Sequence, residues 1–264
     1  TKIVELIFNQ ENLVNNLSEF IALAIQGNDC NMNKLEALCH KNFPLGHKIS
    51  IDGDMIFGEA ILSTGPVAIL GTINQASIGI DLAFSMATKV IEIIEKYPQR
   101  PIIILVDTQG QKLSKRDELL GNTGYLSHLS KCFEYARDKG HRIISIIYNE
   151  AVSGGYLALG LIADESFAVS DAQIRVMALP AMSRITQIPL DQLEELCNSS
   201  PIFAPGIKNY IALGAIEDVA DENLCLELEK AVLKTTKNDT RAQSGLERGG
   251  RNLAYSVINS VIDA

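Results

Sequence analysis

Two long apolar runs dominate the middle of the chain, Ile102-Ile103-Ile104-Leu105-Val106 and Ile143-Ile144-Ser145-Ile146-Ile147-Tyr148. Both lack the alternation of a half-buried strand and are too short for a helix, so they predict strands covered on both faces, as in a parallel sheet. Between them the period changes. Residues 81–97 place Leu82, Met86, Val90, Ile93 and Ile94 on one side and Glu92, Glu95 and Lys96 on the other, an amphipathic helix that Pro98 ends. A second helix runs through Leu126, Leu129, Phe133 and Ala136, and Gly140 closes it.

Upstream, residues 49–52, 55–62 and 67–74 carry short strand patterns separated by Asp52-Gly53-Asp54 and Thr64-Gly65-Pro66, which predict antiparallel hairpins. Downstream, 166–169 and 174–177 read as short strands. Pro180, Pro189, Pro201 and Pro205 then punctuate short helices, and 224–235 and 246–262 are longer and amphipathic. The first 45 or so residues read as helical, through Leu13, Leu17, Phe20, Ile21 and Ala24, then a turn at Gly27-Asn28-Asp29 and a short helix over 35–40. The expected organisation is a helical arm, 1–48, followed by one α/β domain, 49–264, of stacked β-β-α units with peripheral helices.

The breaks after the two apolar runs carry the candidate chemistry. The first run continues into Asp107-Thr108-Gln109-Gly110-Gln111, and the second passes Asn149 and Glu150 into Ala151-Val152-Ser153-Gly154-Gly155-Tyr156 at a helix start. If the strands are parallel, both turns emerge at the carboxyl edge of the sheet, where open α/β sheets place ligands. The first amides of a helix have no intrahelical partner, and glycine offers no side chain to block an anion. The turn at Gly154 and Gly155 can therefore aim bare main-chain donors at an anion, as an oxyanion hole does, and the Gly110 turn could converge on it. Packing alone would equally place glycines in such turns.

Ser153 is either an N-cap or a nucleophile that would need His128 or His141 as base. With Lys112 and Arg116 it is also a candidate substrate-binding side chain. Lys112, Lys115 and Arg116 lie in a charged stretch, 112–118, read as a loop that either steers an anion or simply faces solvent. Residues 243–251, Gln-Ser-Gly-Leu-Glu-Arg-Gly-Gly-Arg, read as a loop or partner-facing segment.

Composition narrows the classes. The 264 residues suit one α/β domain, and a net charge of -9 with no concentrated basic face argues against a nucleic-acid partner. No apolar run approaches the length of a membrane span, and the start lacks a signal-peptide order, so a cytoplasmic protein is expected. Five cysteines without C-x-x-C spacing and four scattered histidines give no metal site. G-x-S-x-G, Walker A, H-E-x-x-H and strand-following G-x-G-x-x-G are all missing. A hole of preorganised amides without an acid or base suits a reaction whose difficulty is charge build-up on a thioester oxygen, such as loss of CO₂ from a malonyl thioester.

Val106-Asp-Thr-Gln-Gly-Gln111, Leu119-Leu120-Gly121, Ala151-Val-Ser-Gly-Gly-Tyr156, Leu157-Ala-Leu-Gly160, Arg175-Val-Met-Ala-Leu-Pro180-Ala-Met and Ser200-Pro-Ile-Phe-Ala-Pro-Gly206 resemble, in combination, the γ subunit of malonate decarboxylase. The resemblance covers about residues 49–219. It implies the crotonase-like fold of acyl-CoA carboxyltransferases, in their C-terminal-half form, with a β subunit as the matching half. It also implies a heterodimer that decarboxylates a malonyl group on an acyl carrier protein, held through a phosphopantetheine-type arm, with no cofactor on this chain. By position the resemblance implies hole donors at the backbone N–H of Gly110 or Gln111 and of Gly154 or Gly155; in biotin-dependent relatives this half's hole faces biotin. Where those enzymes have Pro and an aromatic residue flanking the first Gly, this chain has Gln109 and Gln111, and it has Ser-Gly-Gly for the usual Gly-Gly-Ala. These departures favour a biotin-independent complex. The alternatives are a biotin-dependent carboxyltransferase half and a non-catalytic scaffold.

Overall fold

The structure, a computed structural model, describes residues 31–199, 204–235 and 238–262. The expected helix through Leu13 to Ala24 and the turn at 27–29 lie outside them. The described chain opens in a helix that continues to residue 42 (α1), followed by β1 (His47–Asp52), β2 (Met55–Leu62), β3 (Gly65–Thr72) and β4 (Ala76–Ile78). Then come α2 (Ile80–Lys96), β5 (Ile102–Gln111), α3 (Lys115–Leu119), α4 (Asn122–Asp138), β6 (Ile143–Val152) and α5 (Ser153–Leu159). β7 (Glu165–Ala168) and β8 (Gln173–Arg175) precede the later helices α6 (Leu179–Thr186), α7 (Leu190–Ser199), α8 (Ile207–Ala212), α9 (Leu224–Leu233), α10 (Arg241–Glu247) and α11 (Asn252–Ile262).

One sheet of eight strands runs in the order β1-β2-β3-β5-β6-β7, with β4 extending alongside β5 and β8 alongside β6. The hairpins β1-β2-β3 are antiparallel, and β3, β5, β6 and β7 are parallel. The crossovers from β3 to β5 and from β5 to β6 carry α2 and α4, the spacing that parallel pairing requires. Helices cover both faces, which is why the first half of each strand, 102–106 in β5 and 143–147 in β6, holds no polar residue but Ser145. Met86, Val90, Leu129, Phe133 and Tyr156 fill one layer with Ile102, Ile104 and Ile147. On the other face Leu35, Leu38, Cys39 and Phe43 of α1 and its following turn pack with Leu224 and Leu228 of α9 against Ile103, Ile144 and Tyr148.

Four segments differ from the sequence reading. The expected helix over 246–262 is broken at 248–251, between α10 and α11. The first run does not turn after Val106 but stays extended to Gln111, because β4 supplies it with a parallel partner: Ala76 pairs with Thr108 and Ile78 with Gln111. The charged stretch contains the short helix α3, capped by Ser114, whose hydroxyl accepts from the Asp117 amide at 3.1 Å. The segment 243–251 is not an exposed loop. Its first part belongs to α10, Arg251 donates to the Leu213 carbonyl at 2.8 Å, and Arg248 donates to the Ile216 carbonyl at 2.9 Å. Among the described residues no helix is long and apolar enough to cross a membrane.

Candidate functional site

The parallel ladder delivers the ends of β5 and β6 to the same edge of the sheet, and the two glycine-bearing segments meet there. A Cβ built on Gly155 would stand 2.8 Å from Gly110 Cα and 2.8 Å from Thr108 Oγ1. Real Cβ atoms do not sit that close, so Gly155 is required by the approach of another backbone. Gly110 answers it from the other side. It adopts φ +102°, and a Cβ there would lie 3.1 Å from the Val152 carbonyl oxygen and 3.2 Å from Ser153 Cβ.

The four candidate amides differ in what they already hold. Gly110 N–H donates to Thr108 Oγ1 at 3.0 Å, and that hydroxyl donates to the Ala76 carbonyl at 2.7 Å. Gly154 N–H donates to the side-chain oxygen of Gln111 at 3.2 Å. Gly155 is the third residue of α5, so the carbonyl four residues back, that of Ala151, lies in β6 rather than in the helix. The Lys112 amide donates to Ile78 at 2.9 Å, and in an extended segment the preceding amide, that of Gln111, faces the opposite edge, toward α5. Gly110 and Gly155 are buried, whereas Gln111, Ser153 and Gly154 are half-buried at the mouth of this contact.

Ser153 is not an N-cap. Val152 holds that position, no side chain caps α5, and Ser153 itself is the first helical residue with φ +51°. A left-handed non-glycine residue costs on the order of 1–3 kcal/mol, and its persistence between a strand and a helix marks a site that the surroundings over-determine. Neither candidate base reaches it. His141 Nδ1 is 2.8 Å from the Arg100 carbonyl, before β5, and His128 Nε2 is 3.8 Å from Cys132 Sγ on α4.

Lys112 lines a cavity of about 270 Å³ together with Asp52, Asp54, Asp81 and Asp117. Arg116 forms a two-pronged pair with Asp81, at 2.6 and 3.0 Å, on the surface. Both cations therefore stand beside carboxylates of their own chain. The structure also brings in Asp107, which pattern reading passed over as part of a turn. It is fully buried in the middle of β5, and its oxygens accept from Gln75 N at 2.9 Å, Asn149 Nδ2 at 3.0 Å and Glu150 N at 3.2 Å. Burial raises its pKa above the ordinary 3.8 despite these bonds, and nearby Glu150 adds to the rise. An Asp at the end of an unbroken Ile/Leu/Val run was the available signal, since carboxylates are seldom buried without a task.

A cavity of about 510 Å³ lies at the opposite edge of the sheet, around Asp164 before β7. Its charges are matched within the chain: Arg137 with Asp164, Arg142 and Lys234 with Glu165, and Arg241 with Asp239. It is a structural network at the edge away from the strand ends that carry ligands in such sheets. Among the described residues no cluster of His, Cys, Asp or Glu could hold a metal ion.

A parallel sheet fed by hairpins, with strand-end amides converging against a glycine-started helix, defines the crotonase-like class in its carboxyltransferase form. Solved structures agree on the fold: a Pseudomonas malonate decarboxylase hetero-tetramer with coenzyme A matches at TM-score 0.72 and 22% identity, covering 86% of this chain and 97% of that one. Transcarboxylase 12S matches at TM-score 0.62 and 16% identity, covering 77% of this chain and 44% of that one. The chain belongs to the malonate decarboxylase gamma subunit family, whose model matches residues 73–264. It is also 32% identical over 154 residues to a malonyl-S-ACP:biotin-protein carboxyltransferase of Malonomonas rubra, covering 55% of this chain and 53% of the relative. The chain thus spans about half the length of that curated relative.

Proposed function

We propose that this chain, joined to a β subunit of the same fold, decarboxylates a malonyl thioester carried on the phosphopantetheine-type arm of an acyl carrier protein. The observation that carries the reading is the backbone contact of Gly155 with Gly110, which supports a shared role for the amide-bearing ends of β5 and β6. The bond from the carboxylate to the α-carbon breaks, CO₂ leaves, and the electron pair moves onto the thioester oxygen as an enolate. The α-carbon then takes a proton from solvent to give the acetyl thioester. No proton need be abstracted first, so amide donors suffice as the enzyme's contribution.

Because the Gly110 amide already serves Thr108, the reading assigns the first donor to Gln111. The second is Gly155, joined by Gly154 when the Gln111 carboxamide moves aside, since that carboxamide oxygen occupies an acceptor position that a substrate oxygen could take over. Which of the two subunits' pockets holds the carboxylate and which the thioester is a property of the assembled pair. Lys112 and Arg116 could meet an acidic carrier only by giving up the carboxylates they now face.

A second reading, carboxyl transfer from the malonyl thioester to a biotin protein, is favoured by the Malonomonas rubra relative. Reconstitution with the β subunit and a malonyl-loaded carrier separates the two. CO₂ release that avidin leaves unchanged supports the first, and carboxylation of added biotin protein that avidin abolishes supports the second. Neither product from a folded, assembled complex would remove both.

A further inference from the structure

The pairing of β5 with β6 is not uniform. Val106 stands opposite Ile147, yet two residues later Thr108 stands opposite Ala151, so β6 uses three residues, Tyr148, Asn149 and Glu150, where β5 uses Asp107 alone. Extra residues in one strand leave ladder groups unpaired and re-aim the chain beyond them, and such irregularities gather at functional sites. Here one backbone amide and one side chain of the extra residues turn to the side chain of the facing residue: the Glu150 amide and the Asn149 carboxamide both donate to Asp107 Oδ1, at 3.2 and 3.0 Å. Asp107 Oδ2 accepts from Gln75 N at 2.9 Å, in the turn between β3 and β4, where Asn74 and Gln75 both have left-handed backbones at φ 62° and 52°.

The shift decides what meets what. Continued at its earlier register, β6 would bring Ala151 level with Gly110. With the shift Ser153 comes level with Gly110, which agrees with the 3.2 Å approach of Ser153 Cβ, and α5 starts beside the end of β5. The same carboxylate anchors the turn that feeds β4, the strand against which Gly110 and Gln111 pair. No ladder bond does this work, because the donors lie where the ladder is broken.

We infer that Asp107 is a positioning residue: its buried carboxylate holds the three-residue bulge of β6 and the β3–β4 turn, and so sets the register that brings Gly110 against α5. The inference deepens the reading of this contact as a decarboxylation site and rests on it only for its kinetic consequence. Asp107 touches no substrate in this role. Its substitution is therefore expected to disorder the donors rather than to remove one.

The test compares Asp107→Asn with wild type by amide hydrogen exchange on the full chain and by turnover of the complex reconstituted with its β subunit. Exchange in residues 74–78, 108–112 and 148–156 is expected to rise about tenfold or more, with the rest of the sheet unchanged. In the complex kcat falls about 10- to 100-fold while KM stays within about threefold, the pattern of misplaced transition-state donors. Asn149→Ala, which removes one of the three donors and leaves both backbone ones, shows the same pattern at smaller size and carries the test if Asp107→Asn does not fold. Wild-type exchange in these segments, a uniform rise across the sheet, or faster local exchange with unchanged kcat would each overturn the inference. If the wild-type complex releases no CO₂, the decarboxylase reading fails while the exchange comparison still decides the role of Asp107.

Discussion

At the scale of single residues, the site depends on where a Cβ is forbidden and where a carboxylate is buried. The glycines of both segments, and their convergence at the sheet's carboxyl edge, were legible from composition and strand pattern, because Gly in a strand-to-helix turn has few purposes. What each amide already binds was not legible, since Thr108 and Gln111 reach Gly110 and Gly154 only after the fold brings them there. Ser153 illustrates the limit: Ser before a helix pattern reads as a cap, but the cap is Val152. With no base in reach, Ser153→Ala is expected to retain turnover within about tenfold, whereas loss of a true serine nucleophile costs on the order of 10⁶-fold. A loss of that size in the reconstituted complex would restore the nucleophile reading. Asp107 makes a pH prediction. Burial raises its folded pKa, so stability falls as pH rises from the ordinary 3.8 through the raised value, by the cost of ionising the buried group rather than by loss of its three hydrogen bonds. The groups around it are Glu150 and Tyr148 on β6, with Lys34 bonded to Asn149 and Arg175 paired with Glu150. The unfolding free energy of wild type relative to Asp107→Asn should therefore decline through that interval in a urea series; a difference that grows with pH contradicts it.

At the scale of elements, the parallel strands, the hairpins and helices α2 and α4 were readable because each buries a long face with its own period. The extension of β5 to Gln111 was hidden, because β4 is only three residues long and its pairing is a tertiary fact. The helix within 112–118 was hidden by its charges, although Ser114 and Asp117 at capping spacing are its signature. Asp117 serves two elements, since its carboxylate also accepts from the Ile80 amide at 2.9 Å, capping α2 where Gly79 has no side chain to do so. Hydrogen bonds from Ser114 and then Ile80 hold its pKa below the ordinary 3.8. Its contribution is thus present above that value and lost as pH falls through the lowered one. Asp117→Ala should lower the melting temperature at neutral pH, and the deficit should shrink on acidification; a deficit independent of pH would assign its effect to packing. For α4, Phe133 is fully buried beneath the sheet, and Phe133→Ala is expected to cost about 3–5 kcal/mol in urea unfolding. A cost under about 1 kcal/mol would mean that the two-faced core is less tightly packed than described.

At the scale of the whole molecule, the sheet separates two functions in space: a paired ionic network at one edge and the converging amides at the other. The motif resemblance implied one subunit of a decarboxylase, and membership of the gamma subunit family agrees with that. The surface that receives a second subunit was not legible, because apolar residues exposed in one chain look alike whatever covers them. The central claim is that amides from two strand ends act together on one developing charge. Turnover of malonyl-loaded carrier by the assembled complex, with Gly155→Ala in place of wild type, tests it most directly, since the added methyl would collide with Gly110 and Thr108 at 2.8 Å and part the two segments. A loss of about 10²–10³ in kcat from a complex that still assembles is expected; unchanged turnover from an assembled complex would show that the two strand ends do not act together.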